Sequence, residues 1–509
     1  MPEQTKFTLD ESQIPDAWYN VVPSLPSPPP PPLDPGTLQP MALDDLAPLF
    51  PMELIRQGNT GEGYIDIPGP VMDAYRLWRP TPLFRARRLE ELLSTPARIY
   101  YKYEGSSPSG GHEGNTAIPQ AYYHSIEGTM RLTTETGGGQ WGSSLAFAAA
   151  RYGMECEIWM ARAAYDQKPD RRTLMQTWGA TVHPSPSRAT QAGVKVLADH
   201  PDSPGSRGIA MSEAVEAAEG SAGTRYVPGS VLNHVLLHNT VIGQEAMRQL
   251  ELAGEDGGPD LIVGCAGSGS SLSGLFFPFL KEKLEGRTNL VIRAVETAAS
   301  PSYTRGSYSY DFGDTAGLTP LVKMHTLGHN FMPAPVQAGE LRYHGTAPLM
   351  SHMYDLGLFE TVAKTQVESF TAAVTFARAE GIVPAPEPAL AIASVIEEAE
   401  RCAKRGKEKV ILLAVCGHGH FDMNGYELHL AGELKDHEVP QDNIDASLGC
   451  LPVVSLSGSR GSARPGQGRP GRQVTHRQRP RRRATDEARL SRAPAVMDRS
   501  MHASVTDWP

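Results

Sequence analysis

The sequence predicts an α/β protein with doubly wound, parallel sheets. Apolar segments of strand length alternate with segments of helical periodicity along most of the chain. Two of the strand segments, 130–134 and 260–264, lead into glycine-rich turns that are followed by helices. With 509 residues, of which 40% are apolar, the chain is long enough for two or three domains with cores of their own.

The individual elements follow from local patterns along the chain. The sequence predicts strands at 98–104, 130–134, 155–160, 260–264, 290–296 and 410–415. It predicts helices at 115–123, 144–152 and 171–178, and a further helix that begins in the turn at 267–271. The residues of 98–104 alternate in polarity, whereas 290–296 and 410–415 are apolar and β-branched, as in a buried strand.

Composition and charge argue against several classes of protein. The five cysteines have no paired spacing, which argues against a disulfide framework or a metal site and fits a reducing cytoplasm. No signal-like segment opens the chain and no run of 18 apolar residues occurs, so neither secretion nor a membrane location is expected. The net charge is −10, and an acidic body of this kind predicts no basic face for nucleic acid.

The two ends of the chain differ from its body. Residues 1–48 include the proline run Pro28–Pro32, which predicts an extended arm lying on the surface or on a partner subunit. Residues 438–509 predict a disordered tail, because their later part is rich in Arg, Gly and Pro and cannot bury a core. From 459 to 509 the chain has 12 Arg and 4 acidic residues. A nucleic-acid or membrane-surface arm is the functional alternative, and translation past an ancestral stop codon is the non-functional one.

Two turns have the composition of anion-binding sites. The stretch 109–117 passes through His112 and Glu113 into a helix at Asn115, and the N-terminus of that helix favours a phosphate or a carboxylate. The turn 267–271 (Gly-Ser-Gly-Ser-Ser) follows a buried strand and opens another helix, which is the geometry of a phosphate cradle. Taken singly, each pattern is equally typical of a tight turn.

A third glycine-rich loop contains a carboxylate. The residues from Glu135 to Gly142 read Glu-Thr-Gly-Gly-Gly-Gln-Trp-Gly and follow a strand. Glycines allow consecutive backbone N–H groups to converge on one anion. In isolation, Glu135 would more often be a helix cap or an ion-pair partner.

Together these motifs resemble the tryptophan synthase β chain, in its longer second type, over about residues 5–437. In that family the stretch at 110–115 reads Gly-Ser/Thr-His-Lys-x-Asn, and its lysine holds pyridoxal phosphate (PLP) and moves the proton at the substrate α-carbon. This chain has Glu113 at the lysine position. Lys102 lies in the preceding strand, matches a family residue and is expected to have a structural role.

The resemblance implies a fold type II PLP-enzyme architecture, with two doubly wound α/β domains and the site between them. The larger domain would comprise 49–85 and 226–437, and the smaller one, 86–225, would include a mobile substrate domain. It also implies a homodimer, and as further partners a tryptophan synthase α chain or an active β chain. The small-molecule substrates would be indole, serine or an analogue.

The resemblance assigns roles to residues of this chain. The cofactor-binding residues would be His112, Asn115, Gly267, Ser268, Gly269, Ser270, Ser271, Glu387 and Cys416. The substrate carboxylate would be bound by Thr136, Gly137, Gly138, Gly139, Gln140 and Trp141. Glu135 matches the acid/base carboxylate, and Asp314 is expected to meet the substrate hydroxyl or a closing loop, with a turn cap as the alternative.

Several residues depart from the family pattern, most of them around the same pocket. The departures are Glu113, Ser268, Ser271, Gln337, Glu340, Pro388, Leu390 and Cys416. Three hypotheses follow. The chain is a PLP-dependent tryptophan synthase in spite of Glu113, or a catalytically silent scaffold, or a redirected enzyme that uses His112, Glu113 and Glu135 without a Schiff base.

Overall fold

The computed structural model describes residues 4–47 and 50–454. The strands are β1 (Lys6–Phe7), β2 (Ala17–Tyr19), β3 (Tyr64–Asp66), β4 (Leu83–Arg85), β5 (Arg98–Tyr103), β6 (Arg131–Thr136), β7 (Glu155–Ala161), β8 (Thr181–Ser185), β9 (Thr224–Tyr226), β10 (Leu261–Cys265), β11 (Val291–Thr297), β12 (Ser307–Phe312), β13 (Leu321–Thr326), β14 (Glu360–Lys364) and β15 (Val410–Val415).

The α-helices are α1 (Met52–Asn59), α2 (Gly69–Tyr75), α3 (Arg87–Leu92), α4 (Gly114–Ile126), α5 (Gln140–Arg151), α6 (Arg162–Gln167), α7 (Pro169–Thr177), α8 (Gln191–Asp199), α9 (Arg207–Glu219), α10 (Asn233–His238), α11 (Val241–Leu252), α12 (Ser270–Leu284), α13 (Ser302–Arg305), α14 (Pro348–Asp355), α15 (Gln366–Glu380), α16 (Pro386–Arg405), α17 (Met423–Leu430) and α18 (Gln441–Leu448). Short 3₁₀ turns lie at Glu11–Gln13, Val22–Ser24, Leu43–Leu46 and Gly339–Leu341.

A seven-stranded sheet with the order β1-β4-β5-β15-β10-β11-β14 organises the larger part of the chain. The strands from β5 to β14 pair in parallel, and β1 and β4 add an antiparallel edge. A second sheet, with the order β8-β7-β6-β9, is parallel throughout. The predicted α/β class with parallel, helix-connected sheets is therefore confirmed.

The sheets divide the chain differently from the predicted domain boundaries. The sequence analysis grouped 86–225 together, but β5 lies inside the seven-stranded sheet, between β4 and β15. The four-stranded sheet begins at Arg131 and ends at Tyr226. An apolar strand pattern indicates a buried strand but does not specify the sheet that the strand joins.

The N-terminal arm packs on its own chain. β1 pairs with β4, and the backbone N–H of Leu33, just after the proline run, donates to the carbonyl of Leu321 in β13. β12 and β13 form an antiparallel hairpin that the sequence analysis did not predict.

The disorder predicted from 438 onward is wrong for the first residues of that segment. α18 lies inside that segment, and its Ile444 is fully buried in a cluster with Leu327 and Phe331. The rest of the predicted tail, from 455 onward, lies outside the described residues. Among the described residues, no helix is long and apolar enough to cross a membrane.

Candidate active site

A small cavity of about 60 Å³ lies where the ends of β10 and β15 meet the glycine-rich loop after β6. Of the residues predicted from sequence, it is lined by His112, Glu113, Gln140, Trp141, Gly267, Ser268, Gly269, Ser270, Ser271, Glu387 and Cys416. The structure therefore brings together three turns that are far apart in the sequence. Arg207, Ser230 and Glu340 also line the cavity.

The two anion-type turns are joined by His112. Its Nε2 lies 3.0 Å from the hydroxyl oxygen of Ser270, the first residue of α12. Its backbone N–H donates to the carbonyl of Cys416 at 2.9 Å, which fixes the turn against the end of β15. Gly269 has a left-handed backbone (φ 96°), a conformation that suits glycine. The phosphate-cradle geometry predicted for 267–271 is thus present at the start of a 15-residue helix.

Glu113 lies next to His112 and is almost enclosed, with a side chain 12% exposed. Its Oε1 lies 3.4 Å from Nδ1 of His112, and its Oε2 has no hydrogen-bond partner among the described residues. Burial raises the pKa of Glu113, and the neighbouring His112 partly opposes this. Burial disfavours the charged form of His112, but Glu113, Cys416 and Glu104 together outweigh it and raise the pKa of His112 to about 9.

Glu135 is fully buried at the end of β6, and its shortest hydrogen bonds come from Arg207 and Tyr226. Its carboxylate accepts hydrogen bonds from Arg207 at 3.1 Å and from the hydroxyl of Tyr226 at 2.7 Å. Burial raises the pKa of Glu135, and Arg207 opposes that shift. Arg207 also donates to the hydroxyl of Ser230 at 2.5 Å. Arg207 and Ser230 therefore connect Glu135 to the cavity that they line.

A second, larger cavity lies on the other side of Ser230. It has a volume of about 360 Å³ and is mainly apolar. Ser230, Tyr226 and Tyr343 line it, and the proline run Pro28–Pro32 of the N-terminal arm forms part of its wall. Since Tyr226 also holds Glu135, the buried carboxylate lies between an apolar and a polar space.

The loop predicted to bind the substrate carboxylate is bound to a carboxylate of the chain itself. One oxygen of Glu340 accepts from the hydroxyl of Thr136 at 2.7 Å, from the N–H of Gly139 at 3.1 Å and from the N–H of Trp141 at 3.4 Å. Its other oxygen accepts from the N–H of Gly137 at 3.1 Å. From the sequence, Glu340 was expected only to depart from the family pattern. No local signal indicated that its carboxylate would reach the glycine-rich loop.

Gln140 and Glu387 also meet at the cavity. The amide nitrogen of Gln140 donates to Glu387 at 2.9 Å. Burial raises the pKa of Glu387 to about 7, and Lys168 opposes this. The cavity is therefore bordered by three acidic side chains, those of Glu113, Glu340 and Glu387.

Two predicted residues lie elsewhere. Asp314 caps a turn by accepting from the hydroxyl of Ser212 at 2.8 Å and from the N–H of Thr319 at 2.9 Å, which matches the turn-cap alternative. Asn115 hydrogen-bonds to Arg79 at 2.8 Å and to Glu104 at 3.2 Å, away from the residues that line the cavity. Asn115 therefore links α4 to the buried ion pair between Arg79 and Glu104.

Comparison with known proteins relates this site to a family. A family model described as "Pyridoxal-phosphate dependent enzyme" matches residues 75–417. The chain is 55% identical to the tryptophan synthase beta chain 2 of Methanosarcina mazei, over 433 residues that cover 85% of this chain and 98% of the relative. It is 54% identical to the corresponding protein of Aquifex aeolicus, over 85% of this chain and all of the relative. The chain is 53% identical to the tryptophan synthase beta chain 2 of Thermotoga maritima, over 82% of this chain and 98% of the relative.

The chain belongs to the tryptophan synthase β family of PLP-dependent enzymes. This confirms the resemblance drawn from the sequence and the fold type II architecture. In this member of the tryptophan synthase β family, the turn at 267–271 lies at the start of α12, and the buried Glu135 is bound by Arg207.

The residues present do not fit PLP held as a Schiff base. None of the described residues that line the cavity is a lysine. Lys102 is fully buried and bound to Glu245, Gln249 and the carbonyl of Thr81, so its amine is committed elsewhere. No group of three or more His, Cys, Asp or Glu is arranged to hold a metal ion within the part of the chain that the structure describes.

Proposed function

We propose that this chain is a catalytically silent tryptophan synthase β-type protein, which keeps the fold of the family but not its PLP-dependent condensation of indole with L-serine. The observation that carries the proposal is Glu113 at the position of the Schiff-base lysine, beside the phosphate cradle. A carboxylate cannot form an imine. The loss of a general base alone costs on the order of 10²–10⁴ in rate.

The electrostatics of the cavity support the same conclusion. Glu113, Glu340 and Glu387 border a space of about 60 Å³, whereas sites for small ligands are typically about 300–1,000 Å³. The neighbouring cation Arg207 is already bound to Glu135. An anionic cofactor placed here would lie beside three acidic side chains, which is unfavourable in a buried site.

As a scaffold, the chain would act through its surface. We propose a homodimer, with a tryptophan synthase α chain or an active β chain as further partners, on the basis of the family. Light scattering of the purified protein gives the mass of the assembly, and a monomer would contradict this part of the proposal. Mixing with an active β chain, followed by the same measurement, tests the mixed assembly.

A redirected enzyme is the second candidate, and the apolar cavity favours it. Its volume of about 360 Å³ is within the range for small ligands, and Glu135 lies at its border through Tyr226. An indole-like ring would fit the apolar lining. His112, Glu113 and Glu135 would then serve as acid or base groups without a Schiff base, since their pKa values are raised.

The deciding experiment is the absorption spectrum of the protein with PLP, followed by borohydride reduction and peptide mapping. Three proteins are compared: the unmodified chain, Glu113→Lys, and Glu113→Gln, which matches the size of Glu113 but has no amine. We expect the band of lysine-bound PLP, and a reduced adduct at position 113, only in Glu113→Lys. A band and an adduct in the unmodified chain would show that another lysine serves and would overturn the proposal.

A further inference from the structure

The carboxylate of Glu340 occupies an anion-binding nest, the set of converging donors that residues 136–141 form at the start of α5. Four donors of the loop converge on it: the hydroxyl of Thr136 and the N–H groups of Gly137, Gly139 and Trp141, at 2.7–3.4 Å. Arg207 adds a positive charge, with its Nε 4.0 Å from Glu340. Hydrogen bonds between N–H groups and an ionised carboxylate are stronger than those to a neutral acceptor. The nest is therefore satisfied within the chain.

The backbone around Glu340 is shaped for this contact. Glu340 lies in the 3₁₀ turn Gly339–Leu341, which approaches the glycine-rich loop so closely that a Cβ on Gly339 would lie 2.7 Å from the Cα of Gly138. The N–H of Glu340 donates to Glu387 at 3.3 Å, which fixes the turn from the other side. Because the backbone of this turn is held in place, Glu340 loses little further conformational freedom when its carboxylate binds the loop. The effective concentration of the carboxylate at the loop is therefore high.

We propose that Glu340 is a specificity-determining residue: its carboxylate stands in for the carboxylate of an α-amino acid and excludes amino acids from this site. A second carboxylate would have to displace Glu340 and would enter a cavity bordered also by Glu113 and Glu387. Ligands that remain compatible with the closed nest have no carboxylate, and are neutral molecules or amines. This role of Glu340 specifies which ligands the proposed silent protein excludes, and it rests on the proposed function.

The proposal is tested by hydrogen exchange, measured by mass spectrometry on peptides that cover 136–142, without PLP. In the unmodified protein these amides should be protected. Glu340→Gly should speed their exchange by about tenfold or more, because the N–H groups of Gly137 and Trp141 lose their acceptor and that of Gly139 keeps only the hydroxyl of Thr136. L-Serine should slow exchange again in Glu340→Gly but not in the unmodified protein. Glu433→Gly, a change of the same kind at an exposed loop residue, should behave like the unmodified protein.

Two further comparisons separate occupation of the nest from a general loosening of the fold. Glu340→Gln keeps an oxygen acceptor of the same reach, so it should retain protection and gain no response to L-serine, even if Glu340→Gly unfolds. 2-Aminoethanol, which is serine without its carboxylate carbon and oxygens, should not restore protection in Glu340→Gly. Restoration by L-serine alone supports the proposal.

Several results would overturn the inference. One is fast exchange at 136–142 in the unmodified protein, and another is that L-serine slows exchange equally in the unmodified protein and in Glu340→Gly. The others are that L-serine slows exchange in Glu340→Gln, or that 2-aminoethanol protects Glu340→Gly as well as L-serine does. The proposed function can fail separately, because the exchange experiment uses no PLP and leaves Glu113 in place. A lysine-bound PLP band in the unmodified chain, combined with the expected exchange, would refute the silent assignment and leave the role of Glu340 standing.

Discussion

Replacement of Glu113 by Gln should lower the pKa of His112 substantially. In the structure, Nδ1 of His112 lies 3.4 Å from the Glu113 carboxylate, and Nε2 lies 3.0 Å from the Ser270 hydroxyl. Burial lowers the pKa of His112, and the charge of Glu113 is the largest of the influences that raise it to about 9. Without that charge, burial should count for more and the pKa of His112 should fall from about 9, although Cys416 and Glu104 continue to raise it.

Each unit by which the pKa of His112 falls corresponds to about 1.4 kcal/mol of lost interaction with the protonated imidazole. Since the pKa of His112 is raised in the folded protein, its protonation stabilises the fold fully below pH 6.5 and loses this effect as the pH rises through about 9. The free energy of unfolding should therefore decline between these pH values in the unmodified chain. This decline should be smaller in Glu113→Gln.

The assay is a histidine titration by NMR, with the resonance of His112 identified by its loss in a His112→Gln variant. Urea unfolding at several pH values gives the matching stability curve. Glu433→Gln removes a carboxylate from an exposed loop and should leave the titration of His112 unchanged. If His112 still titrates near pH 9 in Glu113→Gln, the ion pair does not govern its charge, and the proposed pairing in the cavity is wrong.

Two further predictions concern the frame around the site. Lys102→Met should destabilise the fold by about 3–5 kcal/mol in urea unfolding, because it leaves the buried Glu245 without one of its cations. Lys195→Met, at an exposed position, should change the free energy of unfolding little. An equal effect of the two variants would contradict the structural role of Lys102. Ile444→Ala should cost about 2–5 kcal/mol if α18 packs as described, and no measurable change in unfolding would show that this helix is not part of the fold.

The fold was predictable from the sequence because strand and helix patterns are local. The strand at 410–415 was predicted with the bounds that the structure shows, and the strand at 98–104 was one residue too long. The hairpin formed by β12 and β13 was missed, since its pattern was interpreted through the family resemblance alone. The sheet that β5 joins was also missed, because pairing partners are set by tertiary contacts.

The chemistry of the site was predictable in part. The stretch 109–117 and the turn 267–271 were expected to meet, and they do so through His112 and Ser270. The position of Glu340 could not be predicted, because it depends on how a turn about 200 residues further along the chain approaches the glycine-rich loop. Local sequence indicates that a loop can bind an anion. It does not indicate whether a carboxylate of the same chain binds to that loop.

The two acidic departures act on different requirements of the family reaction, and this makes them stronger evidence together than singly. Glu113 removes the amine that would hold PLP, whereas Glu340 fills the nest that would hold the substrate carboxylate. The two side chains act at different places, because Glu340 accepts from the glycine-rich loop whereas Glu113 lies against His112. Restoring a lysine at position 113 would therefore return only the first requirement. Under the proposed function, a site without both requirements would no longer act on amino acids, while the buried Glu135 and the apolar cavity beside it would leave a place for a ligand without a carboxylate.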